Sequence, residues 1–492
     1  MASTARKLVL PKFTLTQVGE GLEADSTRVS LATEGGPFTY YTVPIVDSET
    51  GSRRDGNPRW VAGTYRLFPV VLCGDGSPWA EANLWLLDML ELKTMPNMLT
   101  FASIADDLAA YRRYIEDEDI SWLDFVAHRL RRPTYRYHAA LRLAVQAREI
   151  SLGVAKRRMA TVVRFYRWMI SEKIFNPAHT PWNESDRYVE WKNEQGFSQA
   201  LKVKTTDVAI KTRSADDPWD DRIVDGGRLR PLPQLEQEAL LLTLSNLGNT
   251  EMALIHLFSL LSGARIQTVL TVRVRQVSRN PDEIVGRDFR LNAGPGTAID
   301  TKNGKKGVLH LPKWFYERLY IYMKSERARA RRLKADGGDH DDQFLFLSYR
   351  GAALYEPHDQ RNQTAGEGPL MRHAKTGQAV RQFIKEQLLP GMRKQLGNPQ
   401  YEFSFHDLRA TFGMNTVDHL LKRIGEGSMT YTRALDQLRQ LMWHTRLSTT
   451  ENYLNYRDNL FMIQSVEEGW HSHLTDLAKN ALKSGVAVDA QN

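Results

Sequence analysis

Between residues 151 and 178 the chain reads SLGVAKRRMATVVRFYRWMISEKIFNPA, and this stretch constrains the fold most. Met159, Val162, Val163, Tyr166 and Met169 recur at three- and four-residue intervals, the spacing that puts side chains on one face of an α-helix. Ser151 is suited to cap the start, and Asn176-Pro177 ends the run. A helix with one apolar face must bury it against other elements. The same segment also carries Lys156, Arg157, Arg158, Arg164 and Arg167. Just upstream, HRLRRPTYRYH adds Arg129, Arg131, Arg132 and Arg136 among tyrosines. Arginines interleaved with aromatics fit two readings equally, a solvated basic face and a surface that follows a nucleic-acid backbone.

The chain has 492 residues, room for about three domains, and 42% of them are hydrophobic, so each domain can bury a core. Its formal charge is +8, which favours an anionic partner without specifying a fold. A single cysteine, Cys73, excludes an intramolecular disulfide and any zinc site built on several cysteines. No stretch approaches the roughly 18 apolar residues of a membrane-spanning helix. The N-terminal residues lack the long apolar core of a secretory signal, so a soluble, intracellular protein is expected.

Along the chain, residues 1–95 read as strand-rich, with STRVSLAT, PFTYYTVPIV and YRLFPVVLC separated by Gly, Pro and Asp clusters. An accessory DNA-binding arm and an assembly module both fit this segment. Residues 96–180 read as helical, and 181–230 as a polar linker or long surface excursion. A second compact region is expected over 231–475, followed by a frayed tail, 476–492.

Four segments of the second region carry chemistry. In LFSLLSGARIQTV an apolar helix ends near Gly263 and Arg265 opens a new apolar turn, where a part-buried guanidinium needs an anionic partner. In AIDTKNGKKGVLHLP, Asn303-Gly304 signals a hairpin between two short strands, with Lys302 entering the turn and Lys305 and Lys306 leaving it. In FSFHDLRATF, His406 and Arg409 are three residues apart and share a helical face, with Phe405, Leu408 and Phe412 as its apolar anchors. In MWHTRLSTTENYLNY, Thr449 or Thr450 can cap a helix that contains Tyr453, and His444 lies nine residues before that tyrosine.

An arginine, a hairpin lysine, His-x-x-Arg, and a histidine followed by a tyrosine, in that order, resemble the tyrosine recombinase (phage integrase) family. The resemblance covers about 231–475 and extends more loosely to 96–180, which looks like the family's helical core-binding domain. It implies a mainly α fold with a small β-sheet or hairpin in the catalytic domain, here preceded by the strand-rich extension. Carried over residue by residue, it implies Arg265 and Arg409 as the two arginines, Lys302 as the hairpin lysine and His406 as the histidine of the H-x-x-R motif. His444 matches the later histidine and Tyr453 the nucleophile. Tyr456 lies one helical turn later and competes for that role, although the spacing from His444 favours Tyr453. The chain departs from the family pattern in three places: Thr268 stands where an acidic residue is usual, Trp443 stands where glycine commonly precedes the histidine, and KRIGEGSMTYTRALDQ lengthens the interval between the last two motifs.

Phosphodiesters are poor electrophiles, and a covalent intermediate divides one hard step into two. Tyrosine, with a pKa of about 10, needs a proton acceptor at neutral pH, and His406 is the candidate. Charge on the phosphate needs fixed donors, for which arginine forks are suited and to which His444 adds a third. A lysine, Lys302, can protonate the leaving 5′-oxygen. The expected activity is cleavage and rejoining of DNA through a 3′-phosphotyrosyl link, without metal, ATP or any other cofactor, for integration or excision of a mobile element. The resemblance further implies double-stranded DNA as partner, a homotetramer in synapsis, no membrane, and action in a prokaryotic cytoplasm at the nucleoid. The run NLFMIQSVEEGWHSHLTDLAKNAL is a candidate for docking on a neighbouring protomer. Arg131, Arg132, Arg136, Lys156, Arg157, Arg164, Arg167, Lys305 and Lys306 are the expected DNA contacts. Two other functions use the same residues: a non-catalytic DNA-binding module that retains the fold, and a type IB topoisomerase-like relaxing enzyme.

Overall fold

The computed structural model describes residues 4–16, 28–31, 38–41, 62–93, 96–192, 198–211, 222–357, 374–460 and 473–479. The chain divides into two compact units, residues 1–213 with 358–374, and 214–357 with 375–492. The fold is mainly α with small two-stranded antiparallel sheets.

In the first unit, β1 (Arg6–Thr16) pairs antiparallel with β4 (Ala62–Leu72), and β2 (Arg28–Leu31) with β3 (Phe38–Tyr41). β1 is a strand that the pattern did not announce. Pro11 interrupts its alternation because it cannot donate to a ladder. Helices α1 (Ala80–Glu91), α2 (Met98–Asp117), α3 (Pro133–Gln146) and α4 (Leu152–Ser171) come next. Ser151 caps α4 by accepting from Val154 N at 3.3 Å, and Met159, Val162, Val163, Tyr166 and Met169 are all buried, as their spacing requires. Side chains from both sides of residue 95 enter one core: Phe68, Val71 and Trp85 pack with Phe101, Leu108, Tyr111 and Phe165. Cys73, buried at the end of β4, belongs to the same core.

Within the segment expected to be a polar linker or long surface excursion, the described residues form a ribbon, β5 (Glu184–Lys192) against β6 (Ser198–Thr206), and a short hairpin of β7 (Ile223–Val224) and β8 (Arg228–Leu229). Its polar side chains concealed a strand signal that rests on backbone pairing.

The second unit contains α5 (Gln234–Leu247), α6 (Thr250–Ser262), α7 (Ile266–Leu270), β9 (Asp288–Ala293), β10 (Gly307–Pro312), α8 (Lys313–Lys324) and α9 (Glu326–Leu333). Then come α10 (Gln378–Phe383), α11 (Leu389–Leu396), α12 (Asp407–Gly425), α13 (Tyr431–Leu441) and α14 (447–460). A wider π-helical turn, Ile384–Leu388, joins α10 to α11 just before Pro390. One core runs from Leu240 through Phe258, Leu309 and Phe346 to Leu408. A second cluster gathers Ile223 and Leu229 of the hairpin with Met414, Leu438, Met442 and Tyr453. This cluster holds the hairpin against the helices that carry the motif residues. The expected frayed tail lies outside the described residues except for 476–479, which belong to a helix over 473–479. The expected docking run lies outside them over 461–472 and 480–482. Among the described residues, no helix is long and apolar enough to cross a membrane.

Candidate active site

α6 stops where its sequence indicates. Gly263 adopts φ +67°, and a Cβ there would sit 2.6 Å from Phe412 Cδ1, so glycine meets both the backbone and the packing demand. Arg265 comes immediately after, at the N-terminus of α7. His406 and Arg409 enter on the first turn of α12. Asp407 fixes that turn by accepting from Ser404 N and Oγ, both at 2.8 Å. It also accepts from Arg230 N at 3.0 Å, while Thr411 Oγ1 accepts from Leu232 N at 2.9 Å. These two bonds pin the strand leaving the β7–β8 hairpin to α12.

The hairpin tip carries a residue that no sequence motif announces. Asp225, buried at 3% exposure, lies at the centre of the site. Its Oδ2 accepts from Arg409 Nε at 2.7 Å and from the Tyr453 hydroxyl at 3.1 Å, and lies 3.3 Å from His444 Nε2. Its Oδ1 accepts from Arg265 Nη2 at 3.3 Å. Four of the six expected catalytic residues therefore converge on one carboxylate. A carboxylate only accepts, so His444 Nε2 carries a proton; its Nδ1, 3.0 Å from Thr450 Oγ1, then accepts from that hydroxyl in the neutral ring.

This corrects the expected role of Thr450. α14 starts at 447, so Thr449 and Thr450 lie inside it, and the Thr450 hydroxyl orients His444 rather than capping the helix. Thr268, where an acidic residue is usual in the family resembled, donates to Asp300 O at 3.0 Å and ties α7 to the lysine loop. The acidic partner of Arg265 comes instead from Asp225.

The expected two-residue lysine hairpin does not form. β9 ends at Ala293 and β10 begins at Gly307, and residues 294–306 between them make a longer loop. The Asn-Gly signal marks a turn inside that loop, where Asn303 and Gly304 both have φ +62°. Lys302 is exposed, with its ammonium beside the hairpin tip: a Cβ on Gly226 would sit 2.9 Å from Lys302 Nζ. Lys305 donates to the Trp443 carbonyl. Lys302, Lys305, Arg265, Arg409 and Trp443 line one cleft, and Lys305, Lys306, Arg439, Trp443 and His444 line the adjoining groove. Trp443 takes the left-handed φ of +53° that glycine adopts without strain. Its indole offsets this by donating to Val308 O at 3.1 Å and packing on Gly307, where any Cβ would lie 2.3 Å from the ring.

Burial works against ionisation of Asp225, but the His444 bond and the charges of Arg409 and Arg265 overcome it and hold the carboxyl well below its usual range. Burial, reinforced by Asp225, pushes the Tyr453 hydroxyl well above its usual value. Burial, then Arg265 and Arg409, bring His406 down to about 4, so it is neutral at pH 7. Burial also lowers His444, with Asp225 opposing. Burial and the neighbouring Arg409 bring Arg265 down to about 10, still charged at neutral pH. Burial and the two arginines lower Lys305.

Of the residues expected to touch DNA, Arg132 turns inward. It is buried, and its three nitrogens donate to the carbonyls of Val126 at 2.8 Å, Thr180 at 2.7 Å and Ala127 at 2.8 Å. Arg157 bonds Asp107 through two nitrogens, Arg136 meets Glu118 at 3.2 Å, and Arg167 meets Glu184 at 2.7 Å. Arg164 bonds Thr161 Oγ1 at 3.3 Å, while Arg131 and Lys156 are exposed. Tyr456 is half-buried against the hairpin–α12 cluster. Among the described residues no group of three or more His, Cys, Asp or Glu side chains is placed to hold a metal ion.

The backbone is similar to solved structures of site-specific recombinases. The XerH recombinase bound to its difH substrate matches at 13% identity over 76% of this chain and 84% of that one, with a TM-score of 0.40. The Tn1549 transposon integrase in complex with circular intermediate DNA matches at 12%, over 76% and 94%, at 0.42, and a lambda integrase dimer bound to a COC′ core site at 12%, over 76% and 94%, at 0.41. All three are tyrosine recombinases. No protein-family model matches the sequence, and no curated protein does.

Proposed function

We propose that this protein is a DNA strand-transfer enzyme of the tyrosine recombinase kind. The observation that carries the reading is the convergence of Arg265, Arg409, His444 and the Tyr453 hydroxyl on a single pair of anionic oxygens. Two guanidinium groups and an imidazole N–H around one anion make a site for a phosphodiester. A tyrosine hydroxyl on the same anion supports reading Tyr453 as the nucleophile.

The Tyr453 oxygen attacks phosphorus, a tyrosyl–phosphate bond forms, and the bond to the 5′-oxygen breaks. Neutral His406 takes the phenolic proton. A lysine returns one to the leaving oxygen; Lys302 is assigned this role, and Lys305 lies in the same cleft with a lowered pKa that also suits an acid. The bond energy stays in the phosphotyrosyl link, so the 5′-hydroxyl of another strand reverses the step and joins a new partner. Integration or excision of a mobile element, by four protomers on two duplex sites, is the use that fits this chemistry.

The test is trapping on a nicked suicide duplex carrying the element's own end, resolved on denaturing gels. A covalent adduct is expected from wild type and Tyr456→Phe and not from Tyr453→Phe. Loss only in Tyr456→Phe moves the nucleophile. Binding without an adduct from any form leaves a DNA-binding module, and relaxation of plasmid without defined sites points to a topoisomerase-like enzyme.

A further inference from the structure

Asp225 sits where the reacting phosphate would have to be. Arg409 makes this plain: Nη1 donates to Gly263 O at 2.7 Å, Nη2 to Met442 O, and Nε to Asp225. The first two partners are main-chain carbonyls of the site's own frame. Asp225 is the only one of the three that is an anion. The Tyr453 hydroxyl, which must face phosphorus, is hydrogen-bonded to the same carboxylate oxygen. Arg265 Nε is buried and has no hydrogen-bond partner among the described residues. A carboxylate and a phosphodiester each present two anionic oxygens, so a phosphate can take over the carboxylate's donors, and its larger tetrahedral group extends further toward that extra donor. A second anion beside an ionised Asp225 would also be repelled in this buried setting.

We infer that Asp225 holds the seat of the substrate phosphate in the free protein, and that the β7–β8 hairpin is a gate whose tip the DNA must displace. This rests on the strand-transfer reading and adds a control to the same site. The hairpin is built for such a role. Its exit strand is fixed to α12 through Arg230 and Leu232, while its tip is Asp225-Gly226-Gly227, with Gly226 at φ +70°. Asn452 Nδ2 on α14 donates to Val224 O at 3.2 Å, so the tip is joined to the helix that carries Tyr453. While the gate is shut, Tyr453 is held as a donor to a carboxylate and has no electrophile. The alternative is a permanent clamp, in which Asp225 stays in place and orients the arginines throughout the reaction. Removing the carboxylate speeds the reaction if the hairpin is a gate and slows it if the hairpin is a clamp.

The test uses the full chain and Asp225→Asn, with inorganic phosphate as the probe and chloride at matched ionic strength as the control. Thermal unfolding of Asp225→Asn is expected at a lower temperature than wild type, with saturable recovery in phosphate, while wild type shows no shift beyond the chloride control. On the suicide duplex, the initial adduct rate at limiting DNA is expected to rise about tenfold if the open gate is roughly a tenth of the free population. No saturable response to phosphate together with a slower adduct overturns the gate in favour of the clamp. If Asp225→Asn binds phosphate but no form makes an adduct, the anion seat stands and the strand-transfer reading falls. If wild type makes the adduct but the variant shows neither effect, the gate falls and the reading stands. Asp225→Ser is the second variant should Asp225→Asn not fold. Folding only in phosphate supports the inference, and failure of both variants even in phosphate counts against it.

Discussion

Arg409 shows how one side chain can serve the fold and the proposed chemistry together. At 3% exposure its guanidinium joins the end of α6, the end of α13 and the hairpin tip. Lysine would keep the charge but not the planar fork. Arg409→Lys is therefore expected to lower the adduct rate by about 10²–10³ and destabilise the fold by about 1–3 kcal/mol, checked by trapping and urea unfolding. The four residues that meet at Asp225, namely Arg265, Arg409, His444 and Tyr453, were legible as a set because short motifs fix their spacing to local helix starts and stops. Asp225 was not. An Asp-Gly turn signal was present in IVDGGRL, but the partners of that carboxylate lie 40, 184, 219 and 228 residues away, and no local pattern encodes them. Lys302 and Lys305 were both visible, yet the loop that brings both to the site replaced the expected tight hairpin.

At the scale of elements, the helix that carries Tyr453 is seated by closeness to α12. Gly413 lies in the middle of α12, and a Cβ there would fall 2.3 Å from Tyr453 Cε1 and 2.8 Å from Cδ1. Gly413→Ala is expected to cost about 1–3 kcal/mol of stability and to slow the adduct while leaving DNA affinity near wild type, measured by unfolding and gel shift alongside trapping. The amphipathic α4 and the helix ends at Ser151 and Gly263 were readable because capping and periodicity act within a turn or two. The β5–β6 ribbon was not, because strand pairing depends on a partner that periodicity does not name.

At the scale of the whole chain, each compact unit has its own core, and the N-terminal strands share theirs with the helices α1 to α4. In the second core, His256 is fully buried among Phe383, Phe403 and Phe405. Burial, opposed by its bond to the Met252 carbonyl, brings its pKa down to about 4. The unfolded chain then binds the extra proton first, from about pH 6.5 downward, so stability present above that pH is lost as the pH falls toward 4. For His256 alone the loss approaches about 3 kcal/mol at full protonation. Urea midpoints across this window are expected to fall less steeply in His256→Phe, while His406 and His444, shifted in the same direction, keep the slope above zero. The solitary, buried Cys73 has a practical consequence: the native chain is close to a blank background for maleimide chemistry. A cysteine introduced at Val224, which is 57% exposed beside Asp225, would accept a fluorophore with little competing label and report the tip's motion in real time.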